Sequence, residues 1–155
     1  MLIKNASDIL KRMSHAAMRS GRSPEDVRLV AVTKTVGIET VKEAVDAGLR
    51  IFGENRVQEA QKKISDLKFE ISISKVEWHL IGHLQKNKAK HAVQLFDLIH
   101  TVDSIDLAEE LNKQAEKIGK RQRILVQVKL SEEEAKHGVS EKELVSLLEK
   151  IIGLG

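Results

Sequence analysis

The chain has 155 residues, 41% of them hydrophobic and 32% charged, with a net charge of +3 and no cysteine. A chain of this length and make-up buries a real core as one domain. Disorder, disulfides, thiolate nucleophiles and cysteine-based zinc sites are excluded. No apolar run approaches the roughly 20 residues of a membrane span. The opening residues, MLIKNASDIL, lack the basic start and unbroken apolar stretch of a signal peptide, so the expected location is the cytoplasm.

Chain order alternates two kinds of segment. An amphipathic helix is expected over residues 7–19, apolar at Ile9, Leu10, Met13, Ala16 and Ala17. The run RLVAVTKTVG then predicts a strand over residues 29–33, apolar enough to be buried on both faces. The spacing of Ile38, Val41, Ala44 and Val45 predicts a helix that Gly48 closes after Ala47. A strand over 50–55 and a helix over 57–67 follow. Residues 68–75, KFEISISK, alternate apolar and polar and read equally as an edge strand or a loop insertion. Next come a strand over 76–82, a helix over 87–95 and a strand over 96–102. Ser104 caps a helix that ends at Gly119. A fifth strand covers 123–130, and a loop leads to a last helix over 141–152, capped by Ser140.

Strands alternating with helices of ten to fifteen residues imply right-handed βαβ units and a parallel sheet. Either an open doubly wound sheet or a (β/α) barrel satisfies this. No Gly-x-Gly-x-x-Gly fingerprint and no Walker loop is present. In both architectures ligands bind at the carboxyl ends of the strands. Those ends carry Thr33, Lys34 and Thr35; Glu54, Asn55 and Arg56; His79 and His83; His100, Thr101 and Asp103; and Gln127 and Lys129.

Each has a plain structural reading. Asn55 and Asp103 suit helix caps, and His79 suits a core histidine with one satisfied ring nitrogen. His79 and His83 are four apart, but that zinc spacing needs a helix, so no metal site is expected. The basic stretch HLQKNKAKH, residues 83–91, reads as a solvated helix face. With 3% aromatics and no tyrosine, the stacking platforms of single-strand binders are missing. Lys34 differs in kind. In a partly desolvated pocket the ammonium form is disfavoured, and the neutral amine attacks a carbonyl to give a Schiff base.

The segments LVAVTKT, FGENRVQE, EWHLIGHLQKNKAK, HTVDS with LAEELNKQA, and KHGVS together resemble the pyridoxal-phosphate homeostasis proteins, a family similar to the N-terminal barrel of alanine racemase. The resemblance runs in order from about Leu29 to the end of the chain. It implies a fold-type III, TIM-type (β/α) barrel, incomplete here, with about five of the eight strands of a full barrel. Residues 1–155 would then be a single cofactor-binding domain lacking the C-terminal strands of the family. Carried over by position, Lys34 forms the Schiff base with pyridoxal 5′-phosphate, Asn55 lines its pocket and His79 faces it. Lys136, in EEEAKHGVS, falls at the pocket mouth. The family binds, stores and hands on the cofactor without an established turnover, with cofactor-dependent apo-enzymes as recipients.

Three departures stand out. Val36 and Gly37 replace the lysine and proline that many members carry after the Schiff-base lysine, and Arg56 replaces a tyrosine. The segment that in the family holds the cofactor phosphate and the pyridine nitrogen has no counterpart in these residues. Two rival functions are weighed. A racemase of this fold needs opposed bases, a lysine and a tyrosine, and the chain has no tyrosine. A basic module for RNA or a protein would use residues 83–91. Open sheet edges also imply possible self-association.

Overall fold

A computed structural model describes residues 1–68, 76–130 and 137–154. The expected alternation is present. α1 spans Leu2–Arg19, β1 Ala31–Val32, α2 Ile38–Asp46, β2 Ile51–Glu54, α3 Val57–Lys68 and β3 Glu77–Leu80. α4 covers Ala89–Leu95, β4 Leu98–Val102, α5 Ile105–Lys117, β5 Arg123–Val126, β6 Val128–Lys129, β7 Val139–Ser140 and α6 Glu141–Ile152. Most of the stretch read as edge strand or loop insertion, residues 69–75, lies outside the described residues.

All five principal strands are parallel and follow one another in the order β1-β2-β3-β4-β5. A doubly wound sheet reverses its strand order part-way, so this unbroken order is the arc of a barrel. Neighbouring helices pack on one another in the same sequence, α2 with α3, α3 with α4, α4 with α5 and α5 with α6. They meet the sheet through Phe52, Trp78, Leu80 and Ile99, which share a core with Val41, Ile64, Val93 and Leu107. No helix among the described residues is long and apolar enough to cross a membrane.

Local chemistry explains the helix ends. Ser104 accepts a hydrogen bond from the Leu107 amide at 3.4 Å, as an N-cap should. At the other end Gly119 takes φ 63°, and the amides of Gly119 and Lys120 return to the carbonyls of Glu116 and Ala115. That is the Schellman closure, which needs a left-handed residue. Ser140 does precede α6, but its hydroxyl donates to the Glu143 carboxylate rather than accepting a backbone amide.

Three expectations change. α1 starts at Leu2 rather than at residue 7, because Leu2 packs on the core and Ala6 is buried one turn later. β1 is not buried on both faces: Val32 is 50% exposed, and Leu125 across the same sheet is 49% exposed. The side of the sheet away from the helices is open to solvent at both. Finally, the strand expected over 123–130 breaks at Gln127. Its amide bonds to the Val102 carbonyl while its own carbonyl accepts from the Val139 amide, each at 2.8 Å. Gln127 thus passes the chain from one partner to another, and β6 pairs with β7 in a separate two-stranded sheet.

Candidate functional site

The register fixes which side chains share the inner face. Val32 lies opposite Gly53, Gly53 opposite His79, His79 opposite Leu98 and Leu98 opposite Arg123. Side chains alternate between the two faces of a strand. Phe52, Trp78 and Ile99 therefore point to the helices, while His79 and Arg123 point inward. A side chain on Gly53 would come within 3.0 Å of Val30 and 3.1 Å of Ile81, which places both of those on the inner face too.

Lys34 follows β1 in a turn at the carboxyl end of the sheet and is exposed. The partly desolvated pocket expected for it is not formed among the described residues. The turn itself is firmly held. Thr33 donates its amide to the Gly53 carbonyl, and the Val36 amide closes back on the Thr33 carbonyl, each at 3.0 Å. Thr35 adopts φ 61°, a region a non-glycine residue enters only when its surroundings impose it.

What imposes it lies on the helix side of Thr33. The Thr33 hydroxyl donates to Glu54 Oε1 at 2.7 Å, and Lys63 of α3 donates to the Thr33 carbonyl at 2.6 Å and to Glu54 Oε1 at 2.5 Å. Glu54 is fully buried. An unpaired charge there would be strongly disfavoured, so the three residues form one brace joining β1, β2 and α3. Lys63 carried no signal in the sequence, because one lysine on an amphipathic helix looks like any other. Among the described residues the Lys34 amine and the Asn55 side chain have no hydrogen-bond partner.

Asn55 follows β2 at the same end of the sheet. Its backbone lies against Gly82, where an added Cβ would sit 2.2 Å from the Asn55 carbonyl oxygen. The glycine of WHLIG is thus required by close approach of two strand ends. The Gly82 carbonyl in turn accepts the Thr101 hydroxyl at 2.8 Å.

His79 belongs to a polar chain lower on the inner face. Its Nδ1 is 3.0 Å from Nε2 of His100, and its own Nε2 is 3.4 Å from Glu77. His100 falls where the β4–β5 register slips, between Ile99 and Val102, a bulge of the kind that re-aims a side chain. Arg28 pairs with Glu77 at 2.5 Å and Arg123 approaches it at 3.6 Å. Burial lowers the pKa of His79, and Glu77 restores only part of it; burial, then the charge of His79, lowers that of His100. Burial alone would raise Glu77, but the hydrogen bonds from Arg28 and His79 and the charges of both arginines together hold it below the usual carboxylate value. Two neutral imidazoles in contact, closed by a carboxylate, can pass or hold a proton on the inner face. The plain reading of His79 as a core histidine with one satisfied nitrogen undercounts it, since both ring nitrogens have partners. Lys136 lies outside the described residues.

A single-wound parallel sheet with a lysine at the carboxyl end of its first strand defines a class, and the comparisons agree with it. Residues 9–155 match the family described as alanine racemase, N-terminal domain, and the chain belongs to that family. Among individual relatives, it is 41% identical over 143 residues to the pyridoxal phosphate homeostasis protein of Escherichia coli K12, covering 92% of this chain and 61% of that protein. The protein of the same name from Aquifex aeolicus is 39% identical, with 96% and 63% covered. The structure of PipY from Synechococcus elongatus with PLP bound is 40% identical at a TM-score of 0.78, covering 95% of this chain and 65% of PipY. Alanine racemase of Clostridium difficile shares the fold at 14% identity and a TM-score of 0.69. The chain therefore spans less than two thirds of the length of the homeostasis relatives it matches.

Proposed function

We propose that this chain is a cytoplasmic pyridoxal 5′-phosphate carrier. In this reading residues 1–155 form one binding domain, Lys34 is the attachment point, and Asn55 and His79 line the pocket. The observation that carries it is an amine without a hydrogen-bond partner among the described residues, held by a strained turn at the carboxyl end of β1. The relatives named above supply the chemical class: one is described with PLP bound and others as homeostasis proteins.

The residues suit such a group in part. When bound, the cofactor supplies an aldehyde carbon for an amine and an electron-withdrawing ring. Lys34 supplies the amine, and the Thr33–Glu54–Lys63 brace fixes the turn from which it projects. Asn55 offers an amide free to donate and accept. His79, kept neutral by burial, presents a polar inner wall without a competing charge. Racemisation would need a second base on the opposite face, and a tyrosine for that role is not in this sequence. Storage and delivery to cofactor-dependent apo-enzymes is the function proposed, on the likeness to the homeostasis relatives.

The test is borohydride reduction of the protein incubated with pyridoxal 5′-phosphate, followed by peptide mass spectrometry. A pyridoxyl group on the peptide containing Lys34 is expected. No adduct, or one spread evenly over surface lysines, would overturn the proposal.

A further inference from the structure

His83, Asp103 and His137 come from three separate segments, yet one ligand atom from each lies within 4.8 Å of the other two. The imidazole rings of His83 and His137 are stacked, with centroids 3.7 Å apart and planes at 9°. We propose that these residues form a binding site for a divalent transition-metal ion of the zinc type. The residues follow β3, follow β4 and precede β7, and an ion there needs no cofactor.

The donor set selects the ion. Two neutral imidazoles and a carboxylate suit zinc and its neighbours, whereas magnesium and calcium call for oxygen ligands throughout. A tetrahedral zinc ion with bonds near 2.1 Å sets its donors about 3.4 Å apart. The present spacing is wider, and the stacked rings aim their in-plane lone pairs side by side, so binding turns at least one ring out of the stack; both histidines are exposed, which leaves them room to turn. Three protein ligands leave a fourth position open to water or an anion.

The backbone beneath each ligand is already fixed, which limits the ordering cost of binding. Gly82, next to His83, holds the Thr101 hydroxyl at 2.8 Å. Val102, next to Asp103, accepts the Gln127 amide, and the Gln127 carbonyl accepts the Val139 amide, each at 2.8 Å. The Gln127 side chain donates to the His137 carbonyl at 3.2 Å. One residue, Gln127, therefore ties the segment carrying His137 to the strand carrying Asp103. An ion here clamps the segment entering β7 onto the ends of β3 and β4. The spacing argument from His79 to His83 pointed elsewhere because His79 turns inward to His100; the partners of His83 lie 20 and 54 positions away by residue number, beyond the reach of a local motif.

The experiment titrates zinc chloride into the cofactor-free protein by calorimetry, with cobalt absorption as a second reading and thermal melting as a third. One ion per chain, a tetrahedral cobalt spectrum and a rise in Tm with zinc are expected. His83→Ala, His137→Ala and Asp103→Asn should each weaken zinc binding by about tenfold or more, and His15→Ala and His91→Ala should not. Circular dichroism checks that the variants remain folded. Absence of a one-to-one complex, or affinity unchanged in either His83→Ala or His137→Ala, overturns the proposal.

Discussion

Glu54 and Lys63 make a buried ion pair of 2.5 Å directly behind the turn that carries Lys34, with the carboxylate side chain at 0% exposure and the lysine at 11%. The pair works on the turn through Thr33, which gives its hydroxyl to one partner and its carbonyl to the other. The second carboxylate oxygen, Oε2, is buried without a partner among the described residues. Its desolvation is therefore offset only through Oε1.

Removing one member of such a pair leaves an uncompensated buried charge, which typically costs about 3–5 kcal/mol. Lys63→Ala is expected to destabilise the protein by roughly 3 kcal/mol, toward the lower end because α3 lies at the surface and water can reach the vacated space. The double variant Lys63→Met with Glu54→Gln removes the charge altogether and should recover part of that loss. Urea denaturation measures both. A single-variant loss below about 1 kcal/mol would mean the pair is no brace.

Gly82→Ala tests the contact between two strand ends. The new methyl would meet the Asn55 backbone at 2.2 Å, and backbone cannot yield as a side chain tip can. Overpacking of this kind costs about 1–3 kcal/mol or more. Gly53→Ala, whose methyl would meet the side chains of Val30 and Ile81 at 3.0 and 3.1 Å, should cost clearly less. Thermal melts of the two variants, compared with wild type, read the difference.

Stability should fall on acidification in two stages. His79 and His100 have lowered pKa values in the fold, so between about pH 6.5 and those lowered values the unfolded chain binds more protons. Stability then rises with pH through that window and is lost as pH falls through it. Glu77, also lowered, adds a second loss below about pH 4.5 as the unfolded carboxylate takes up its proton first. His100→Gln removes one of the two depressed imidazoles and should flatten the upper stage while leaving the lower one. Denaturation midpoints from about pH 3 to about pH 8 span both stages and provide the check. A variant as steep as wild type in the upper window would refute the account.

The periodicity of apolar residues made the order of elements legible, and motif resemblance singled out Lys34, Asn55 and His79 as candidates. What escaped depends on long-range pairing. Nothing local marks Gln127 as the residue where a strand changes partner, because only the backbone bonds to Val102 and Val139 reveal it. β1 reads as doubly buried from Leu29, Val30, Ala31 and Val32, yet burial of the inner face depends on what stands opposite, and Val32 is half exposed. Lys63 and His100 look ordinary in sequence and acquire roles only through residues 9 and 21 positions away.

In the described sheet β1 and β5 are the outermost strands, and an outer strand offers unpaired backbone groups on one side. Self-association of this chain is therefore expected to grow with concentration and to be read by light scattering. A monodisperse monomer across the accessible concentration range would count against it.

Two lysines lie beside the end of β1, and their surroundings differ. The Lys63 amine is committed to the Glu54 carboxylate and the Thr33 carbonyl, so its protons are engaged and its lone pair is not available to a carbonyl carbon. The Lys34 amine has no such partner among the described residues, and only its neutral form can attack. Lys34→Ala is accordingly expected to abolish the borohydride-fixed pyridoxyl adduct while the far-ultraviolet circular dichroism stays close to wild type, since an exposed side chain leaves no cavity behind. Lys129→Ala, at another strand end, should retain the adduct in full. Lys63→Ala should also retain it at Lys34, at reduced yield, because the turn loses its brace but not its amine. Persistence of a single dominant adduct in Lys34→Ala would transfer the role to another lysine, and a yield in Lys63→Ala equal to that in wild type would separate the brace from cofactor capture.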